Sequence, residues 1–170
     1  LFVACEAQPN RLYRNRGDGT FEEVASKAGV QGDGGMYKGC AWIQSDGDRF
    51  PDLFVTDLIG AARLFRNRGN GTFGDVTLSA GIDGPLQGFS CWAFDYDNDG
   101  LCDILATSYD RTLEDIVKGV IGKPHARETN RLFRNLGRGG GFGDVAKEAA
   151  LDVVLAAMGS NYGDFDKDGF

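Results

Sequence analysis

A motif that occurs three times constrains the fold of this chain more than any other feature. Its copies read Asn-Arg-Leu-Tyr-Arg-Asn-Arg-Gly-Asp-Gly-Thr-Phe over 10–21, Ala-Arg-Leu-Phe-Arg-Asn-Arg-Gly-Asn-Gly-Thr-Phe over 62–73 and Asn-Arg-Leu-Phe-Arg-Asn-Leu-Gly over 130–137. The first two copies are 52 residues apart, and the third follows after a further 68. A repeat period of about 50 residues is typical of solenoids and propellers.

Each copy predicts one antiparallel hairpin. In the second copy, residues 64–67 form a short strand, Asn70 and Gly71 suit a two-residue primed turn, and residues 72–77 return as a second strand. Residues 88–94 and 104–107 add a third and a fourth strand around an Asp-rich run. Four strands per repeat make one propeller blade. The sequence therefore predicts an all-β fold, a β-propeller built of four-stranded blades.

The repeats divide the chain into three units, 1–52, 53–103 and 104–170, each running from one Asp-rich loop to the next. Three blades are fewer than the roughly four to eight that close a ring. We therefore expect a partial ring that is completed by further blades, either from a longer chain or by oligomerisation.

The extra length of the third unit is an insertion at about 110–129. Thr112 and Asp115 resemble a capping box, and the apolar residues after them have helical spacing. A short helix is predicted here, outside the blade. Its apolar face either packs on the propeller or binds a partner. That face comprises Leu113, Ile116, Val117, Val120 and Ile121.

The strongest chemical signal is the Asp-rich loop over 95–103, which reads Asp-Tyr-Asp-Asn-Asp-Gly-Leu-Cys-Asp. Alternate carboxylates are expected to point inward, and the glycine allows a sharp turn. Ca²⁺ takes about six to eight oxygen ligands, and such a loop nearly fills that shell. The predicted ligands are Asp95, Asp97, Asp99, the carbonyl of Leu101, and Asp103.

The loop has three other interpretations. An EF-hand is excluded, because it needs Glu at the twelfth position, and the twelfth residue from Asp95 is Ala106 in an apolar strand. Magnesium or manganese could replace calcium, although a cage of mostly protein oxygens fits calcium better. The plainest alternative is a solvated acidic turn without metal.

Two related loops depart from this pattern. The later one matches through its seventh position with Asp164, Asp166, Asp168 and Phe170, and the given sequence ends there. The earlier one keeps three candidate ligands, Asp46, Asp48 and Asp52. It has Gln44 at the first position and Arg49 in place of the turn glycine, which brings a positive charge and a Cβ to a place where φ is expected to be positive. Weak calcium binding and no binding are both open for the earlier loop.

The four cysteines allow three pairings, but their places in the repeat argue against a disulfide framework. Cys40 and Cys91 hold the same position in successive repeats, and equivalent positions of neighbouring blades rarely approach the roughly 6 Å Cα separation that a disulfide needs. We interpret both as small buried thiols. Cys5 and Cys102 are the other two cysteines.

The net charge of −7 argues against a strong general attraction to nucleic acid or to an anionic membrane surface, because both need a basic protein surface. No run of residues approaches the roughly 20 apolar residues of a membrane span, so no direct membrane insertion is expected. Cations are the natural partners of such a chain.

The hairpin motif and the Asp95 loop together resemble the FG-GAP and VCBS repeat family, the blades of integrin α-subunit propellers, and in particular the branch associated with ASPIC/UnbV domains and cartilage acidic protein. The resemblance covers nearly the whole chain. The Phe-Gly and Gly-Ala-Pro strings that gave the family its name are missing, and the Gln44 loop departs from the ligand pattern. The family implies calcium-stabilised propellers, usually secreted or on the cell surface (periplasmic if bacterial), that bind proteins or glycans.

Three functional classes follow. The favoured one is a non-catalytic, calcium-binding module for extracellular binding or scaffolding, because the one histidine, His125, lies in the insertion and no Ser or Cys lies in a nucleophile motif. The second is an accessory propeller of a polysaccharide-active enzyme whose catalytic residues lie elsewhere. The third is a purely structural propeller. The adhesion tripeptide at Arg16, Gly17 and Asp18 is interpreted as turn chemistry, since Asn70 replaces Asp18 in the next repeat.

Overall fold

The computed structural model describes residues 1–109, 112–123, 128–155 and 157–163, without the side chains of 115 and 116. Within these ranges the strands form three antiparallel sheets. The first sheet has three strands, β1 (Phe2–Val3), β2 (Arg11–Asn15) and β3 (Phe21–Glu23), followed by the helix α1 (Ala25–Ala28). The second has four, β4 (Tyr37–Ile43), β5 (Asp52–Asp57), β6 (Arg63–Asn67) and β7 (Phe73–Asp75). The third has four, β8 (Gly88–Phe94), β9 (Asp103–Ser108), β10 (Arg131–Asn135) and β11 (Phe142–Asp144), with the helix α2 (Leu113–Val120) between β9 and β10.

The strands of each four-stranded sheet are paired in chain order, with the Asp-rich loop joining the first two strands and the repeated hairpin forming the last two. The sequence grouped the hairpin at 64–77 with the strands at 88–94 and 104–107, and that grouping is wrong. The later two strands pair with the next hairpin, because β9 lies beside β10. The four-stranded blade itself is confirmed, and its first strand is the one that leads into the Asp loop.

The turn of the repeated hairpin is longer than predicted. The N–H of Arg68 donates to the carbonyl of Thr72 at 2.9 Å, which encloses three residues, 69–71, rather than two. Gly69 and Gly71 both have positive φ, at 70° and 85°. The side chain of Asn67 accepts from the N–H of Gly69 at 3.0 Å, so the asparagine at the strand end shapes the turn.

Two apolar clusters fill the spaces between the sheets. One lies between the first and second sheets and includes Phe2, Leu53 and Phe65. The other lies between the second and third sheets and includes Phe54, Ile104 and Phe133, none of which is measurably exposed. Each sheet therefore buries one face against its neighbour, as successive propeller blades do.

The first strands of successive sheets lie next to one another. The hydroxyl of Thr56 donates to the carbonyl of Phe89 at 2.6 Å, which joins the second sheet to β8. On the other side of β8, the hydroxyls of Ser90 and Ser160 are 2.8 Å apart, so the segment 157–163, which leads to the third Asp loop, continues the series. Sheets arranged face to face with their first strands adjacent confirm the all-β propeller prediction.

The predicted helix in the insertion is confirmed as α2, with Thr112 at its N-cap position. The side chain of Asp115, the other half of the predicted capping box, and that of Ile116 lie outside the described residues, as does His125. Of the described apolar side chains, Leu113 and Val120 are 75% and 78% exposed, so the prediction that this face packs on the propeller is wrong for them. A partner-binding role for the helix stays a prediction. Neither helix in the described ranges has the length and apolar character that crossing a membrane requires.

All four cysteines are free thiols. Cys91 is buried as predicted, whereas Cys40 is exposed, which corrects the interpretation of both as buried. Cys40 lies opposite Val55 and thus on the face directed at the first sheet. In the described residues, the first sheet has no strand at the place of β4 or β8, so nothing covers Cys40 as the second sheet covers Cys91.

Candidate metal centre

The Asp95 loop connects β8 to β9 and folds around the first of its aspartates. The carboxylate of Asp95 accepts from the N–H of Asp99 at 3.1 Å and from the N–H of Gly100 at 2.9 Å. Asn98 and Gly100 take positive φ values of 57° and 85°, which turns the chain back sharply enough for these contacts. The sequence folds locally into this form because Asp, Asn and Gly tolerate such turns.

This turn brings three of the predicted ligands together. Candidate ligand oxygens of Asp95, Asp97 and Asp99 lie within 4.8 Å of one another, and in the described ranges no other group of three or more such side chains is so close. Asp95 and Asp97 are half-buried, and Asp99 is exposed. Three carboxylates at this spacing repel one another unless a cation lies among them.

One oxygen of this group is buried without a hydrogen bond from the described residues. This oxygen is Oδ1 of Asp97, and within the described ranges nothing donates a hydrogen bond to it. A buried carboxylate oxygen without a partner costs about 1–3 kcal/mol or more, because its lost hydration is not replaced. Hard oxygen ligands converging on one point are what calcium prefers, so these residues fit a bound calcium ion.

A cation that the sequence did not predict already lies beside these carboxylates. Nη2 of Arg134, on β10, is 2.7 Å from Oδ2 of Asp97 and 3.2 Å from Oδ2 of Asp99. The negative charge of Asp97 is the main cause that raises the pKa of the Arg134 guanidinium. The recurrence of Arg at the same place in every copy of the hairpin motif, at 14, 66 and 134, was the available sequence signal.

Asp103, the predicted closing ligand, is fully buried and makes contacts of a different kind. Its Oδ2 accepts from the N–H of Tyr96 at 2.9 Å, and its Oδ1 accepts from the N–H of Asn135 at 2.7 Å. Burial raises the pKa of this carboxyl. Asp103 lies outside the close group of three, and its coordination of a metal, like that of the Leu101 carbonyl, stays a prediction.

The earlier loop has the same frame with fewer carboxylates. Asp52 is also fully buried and accepts from the N–H of Asn67 at 2.7 Å and from the N–H and hydroxyl of Ser45. Asp46 pairs with Arg66, with Oδ2 3.2 Å from Nε. Asp46, Asp48 and Asp52 do not form a close group like that of the Asp95 loop within the described residues. Arg49 has φ of 73°, which confirms the positive φ expected where the glycine is replaced.

The remaining predicted ligands, Asp164, Asp166, Asp168 and Phe170, lie outside the described residues. The described segment leading to them, 157–163, contacts β8 through Ser160 and Tyr162. The rings of Tyr162 and Phe94 are 4.9 Å apart, so this segment contacts β8 at the base of the Asp95 loop.

Comparison with known families gives one match over most of the region just described. A family model described as an FG-GAP-like repeat matches residues 1–55 and 45–106. The second match contains the whole Asp95 loop, and the two overlap over 45–55, which holds the Gln44 loop except for Gln44 itself.

Two relatives from different organisms share the same name. Cartilage acidic protein 1 of Homo sapiens is 36% identical over 104 residues, which cover 59% of this chain and 15% of the human protein. The protein of the same name from Xenopus tropicalis is 25% identical over 179 aligned positions, covering 92% of this chain and 26% of the frog protein. The chain therefore spans only about a quarter or less of the length of these relatives.

Proposed function

This chain belongs to the FG-GAP-like repeat family, and from that premise we propose that it is a calcium-binding propeller module of an extracellular protein, used for binding or scaffolding rather than catalysis. The observation that carries the proposal is the convergence of Asp95, Asp97 and Asp99, with one buried Asp97 oxygen left without a hydrogen bond.

Each aspartate of the Asp95 loop has a different part in holding the ion. Asp95 has its carboxylate fixed by two backbone N–H groups, so it needs little further ordering on binding. Asp97 supplies the buried oxygen, and Asp99 supplies the third carboxylate. Calcium, when bound, would supply the positive charge that offsets the repulsion of these three carboxylates.

An extracellular location is supported by the cartilage acidic proteins that the chain resembles and by the chemistry of the loop. Extracellular calcium modules work at dissociation constants of about 0.1–1 mM, which suits a partly exposed site. The binding partner in this proposal is a protein or a glycan.

The non-catalytic assignment rests on the roles already taken by the acidic groups. The Asp95 and Asp103 carboxylates accept backbone N–H groups, and those of Asp97 and Asp99 pair with Arg134. In these contacts, none of the four carboxylates is free to act as a general acid or base. An accessory propeller of a polysaccharide-active enzyme and a purely structural propeller are the alternatives, and a glycan and protein array beside a turnover assay distinguishes the three.

We also propose that the Asp loop of another repeat of this family lies in the cleft between the first and second sheets. Nδ2 of Asn135 donates to the carbonyl of Ser45 at 3.2 Å, so the Gln44 loop of the second sheet lies against the hairpin of the third. Asn67 holds the equivalent place in the second sheet, beside an open cleft of about 510 Å³ that is also lined by Tyr13, Trp42 and Phe73. The cleft therefore lies where an Asp loop of another repeat would contact the second sheet.

A labelled peptide copying residues 37–52 tests this packing by fluorescence anisotropy against the full chain. Saturable binding that a scrambled peptide does not show supports it. Equal anisotropy with the two peptides counts against it.

The calcium proposal is tested by thermal melting of the full chain in EDTA and in increasing calcium. At about 100 times the dissociation constant, binding stabilises the folded state by about 2.7 kcal/mol. For a domain of this size, that corresponds to a rise in Tm of roughly 5–10 °C. Asp97→Asn is expected to remove most of the rise.

The matched control is Asp18→Asn, which removes one negative charge at an exposed turn. Asn70 already holds the equivalent place in the next repeat, so this turn tolerates the change. The control is expected to keep the full calcium response. No rise in Tm for the unchanged chain, together with no heat of calcium binding in calorimetry, would contradict the proposed function.

A further inference from the structure

The side chain of Arg134 bridges two of the three clustered carboxylates. A single atom, Nη2, lies 2.7 Å from Oδ2 of Asp97 and 3.2 Å from Oδ2 of Asp99. The side chains of Arg134, Asp97 and Asp99 are 40%, 23% and 27% exposed, so these charges are only partly hydrated. Ion pairs in such surroundings are screened less than those on an open surface.

The bridge leaves polar atoms unsatisfied on both sides. Oδ1 of Asp97 and Nε of Arg134 are both buried without a hydrogen-bond partner. A guanidinium that meets a carboxylate through two parallel hydrogen bonds would use Nε or the second terminal nitrogen as well. Arg134 thus partly neutralises the loop without satisfying Oδ1 of Asp97, and a metal cation among the carboxylates would contact that oxygen as well.

The arrangement recurs in the second sheet. Arg66, at the same place in the hairpin motif as Arg134, has its Nε 3.2 Å from Oδ2 of Asp46 in the Gln44 loop. In the first sheet the equivalent Arg14 pairs instead with Glu22 on the neighbouring strand, at 2.6 Å. In the second and third sheets, whose Asp loops are described, the hairpin arginine therefore contacts the Asp loop of its own sheet.

From these contacts we propose that Arg134 is the built-in counter-cation of the Asp95 loop: it holds the carboxylates together without metal and competes with calcium for Asp97 and Asp99. This inference rests on the proposed function, since it concerns the same loop. Arg134 is a positioning residue here and not a ligand, because a guanidinium has donors and no acceptor.

The competition follows from charge. A divalent cation among the three carboxylates repels a guanidinium at hydrogen-bond distance from them, so Arg134 must leave Asp97 and Asp99 when calcium binds. The lost ion pairs are subtracted from the binding free energy of calcium. The apparent calcium affinity is therefore lower than the carboxylates alone would give, and binding releases the Arg134 side chain to solvent or to a partner.

The experiment is calcium titration calorimetry on the full chain, with Arg134→Met and Arg134→Gln beside the unchanged protein. Both variants are expected to bind calcium about tenfold more tightly, the factor that corresponds to about 1.4 kcal/mol. In EDTA, both are expected to melt below the unchanged protein, because the carboxylates lose their counter-cation. Two variants of different polarity keep the test usable if one of them fails to fold.

Arg14→Met is the matched control, since it removes the equivalent arginine from a sheet where that arginine pairs with Glu22. It is expected to leave calcium affinity unchanged. If the unchanged protein binds calcium and the two Arg134 variants bind it equally or more weakly, the counter-cation inference is wrong and the proposed function stands. If neither the unchanged protein nor the variants bind calcium, the proposed function fails, and the competition fails with it.

Discussion

The N–H of Asn135 donates to Oδ1 of Asp103 at 2.7 Å, and the N–H of Asn67 donates to Oδ1 of Asp52 at the same distance one repeat earlier. Each contact joins the last aspartate of an Asp loop to the end of the repeated hairpin. Both aspartates are fully buried, and both also accept the N–H of the second residue of their loop. The closing aspartate is thus a structural junction of the blade, whether or not it also contacts metal.

Replacing this junction is expected to destabilise the protein even without calcium. Asp103→Ala leaves the N–H groups of Tyr96 and Asn135 without their acceptor in a buried place. At roughly 1–3 kcal/mol for each of these two unsatisfied groups, we expect a loss of about 2–6 kcal/mol in the free energy of unfolding. Urea denaturation in EDTA measures it.

Asp97→Ala in the same buffer is the control for charge removal within the loop. Asp97 pairs with a partly exposed arginine, so its loss without metal is expected to cost less than about 1 kcal/mol. Equal losses for the two variants would show that Asp103 is not a junction and that only the loop charge matters.

The Gln44 loop, which lacks some of the ligand and turn residues, allows a gain-of-function test. Gln44→Asp with Arg49→Gly restores the ligand and turn residues of the Asp95 loop, and it removes a side chain held at φ of 73°. We expect calcium calorimetry to show one binding site more than in the unchanged chain. In EDTA, relief of the backbone strain at residue 49 is expected to raise the free energy of unfolding by a few tenths to about 1 kcal/mol. Repulsion from the new carboxylate at position 44 reduces this gain.

Arg49→Gly alone separates the two effects, because it relieves the strain without adding a ligand. It is expected to raise stability in EDTA and to leave the number of calcium ions below that of the double variant. An unchanged stoichiometry in the double variant would mean that the carboxylates of Asp46 and Asp48 cannot converge, even with the turn restored.

The sequence predicted what depends on neighbours along the chain. The cluster of Asp95, Asp97 and Asp99 was predictable because the loop closes on itself, through backbone N–H groups that donate to its first aspartate. Arg134 was not, because it lies 35 residues from Asp99 in the chain and reaches it only when β10 pairs with β9. The prediction of which strands share a sheet was wrong for the same reason. A hairpin forms between neighbours in the chain, but the strand that pairs beside it depends on long-range packing.

The cysteines give a prediction with a chemical readout. Burial raises the pKa of the Cys91 thiol far above its usual value, so it carries almost no thiolate at pH 8. Burial also raises the pKa of Cys40, but that side chain is exposed. Iodoacetamide at pH 8 is expected to modify Cys40 at least about tenfold faster than Cys91, measured by peptide mass spectrometry.

Unfolding in urea serves as the control for this labelling, because it should bring the rates of Cys40 and Cys91 together. Equal rates in the folded protein would place Cys91 outside the core between the second and third sheets. That result would contradict the face-to-face packing of these two sheets.

The packing of the first strands is tested by a pair of glycines five residues ahead of their loops. A Cβ on Gly39 would lie 2.7 Å from the carbonyl oxygen of Phe89 and 3.0 Å from the N of Cys91, both in the backbone of β8. Gly159, at the same place before the third loop, has nothing within 4 Å of its added Cβ. Gly39→Ala is therefore expected to lower the free energy of unfolding by about 1–3 kcal/mol, and Gly159→Ala by less than about 0.5 kcal/mol.

Urea denaturation of the two variants in EDTA measures this difference without the contribution of calcium. Both changes add the same methyl group, and the distance from the new Cβ to its neighbours is the main difference between them. The closest neighbours of the new methyl group at residue 39 are in β8, which belongs to the next sheet. A large loss in the free energy of unfolding therefore indicates contact between blades. If the two variants are equally stable, β4 and β8 do not lie against each other, and the blades are not in the propeller arrangement.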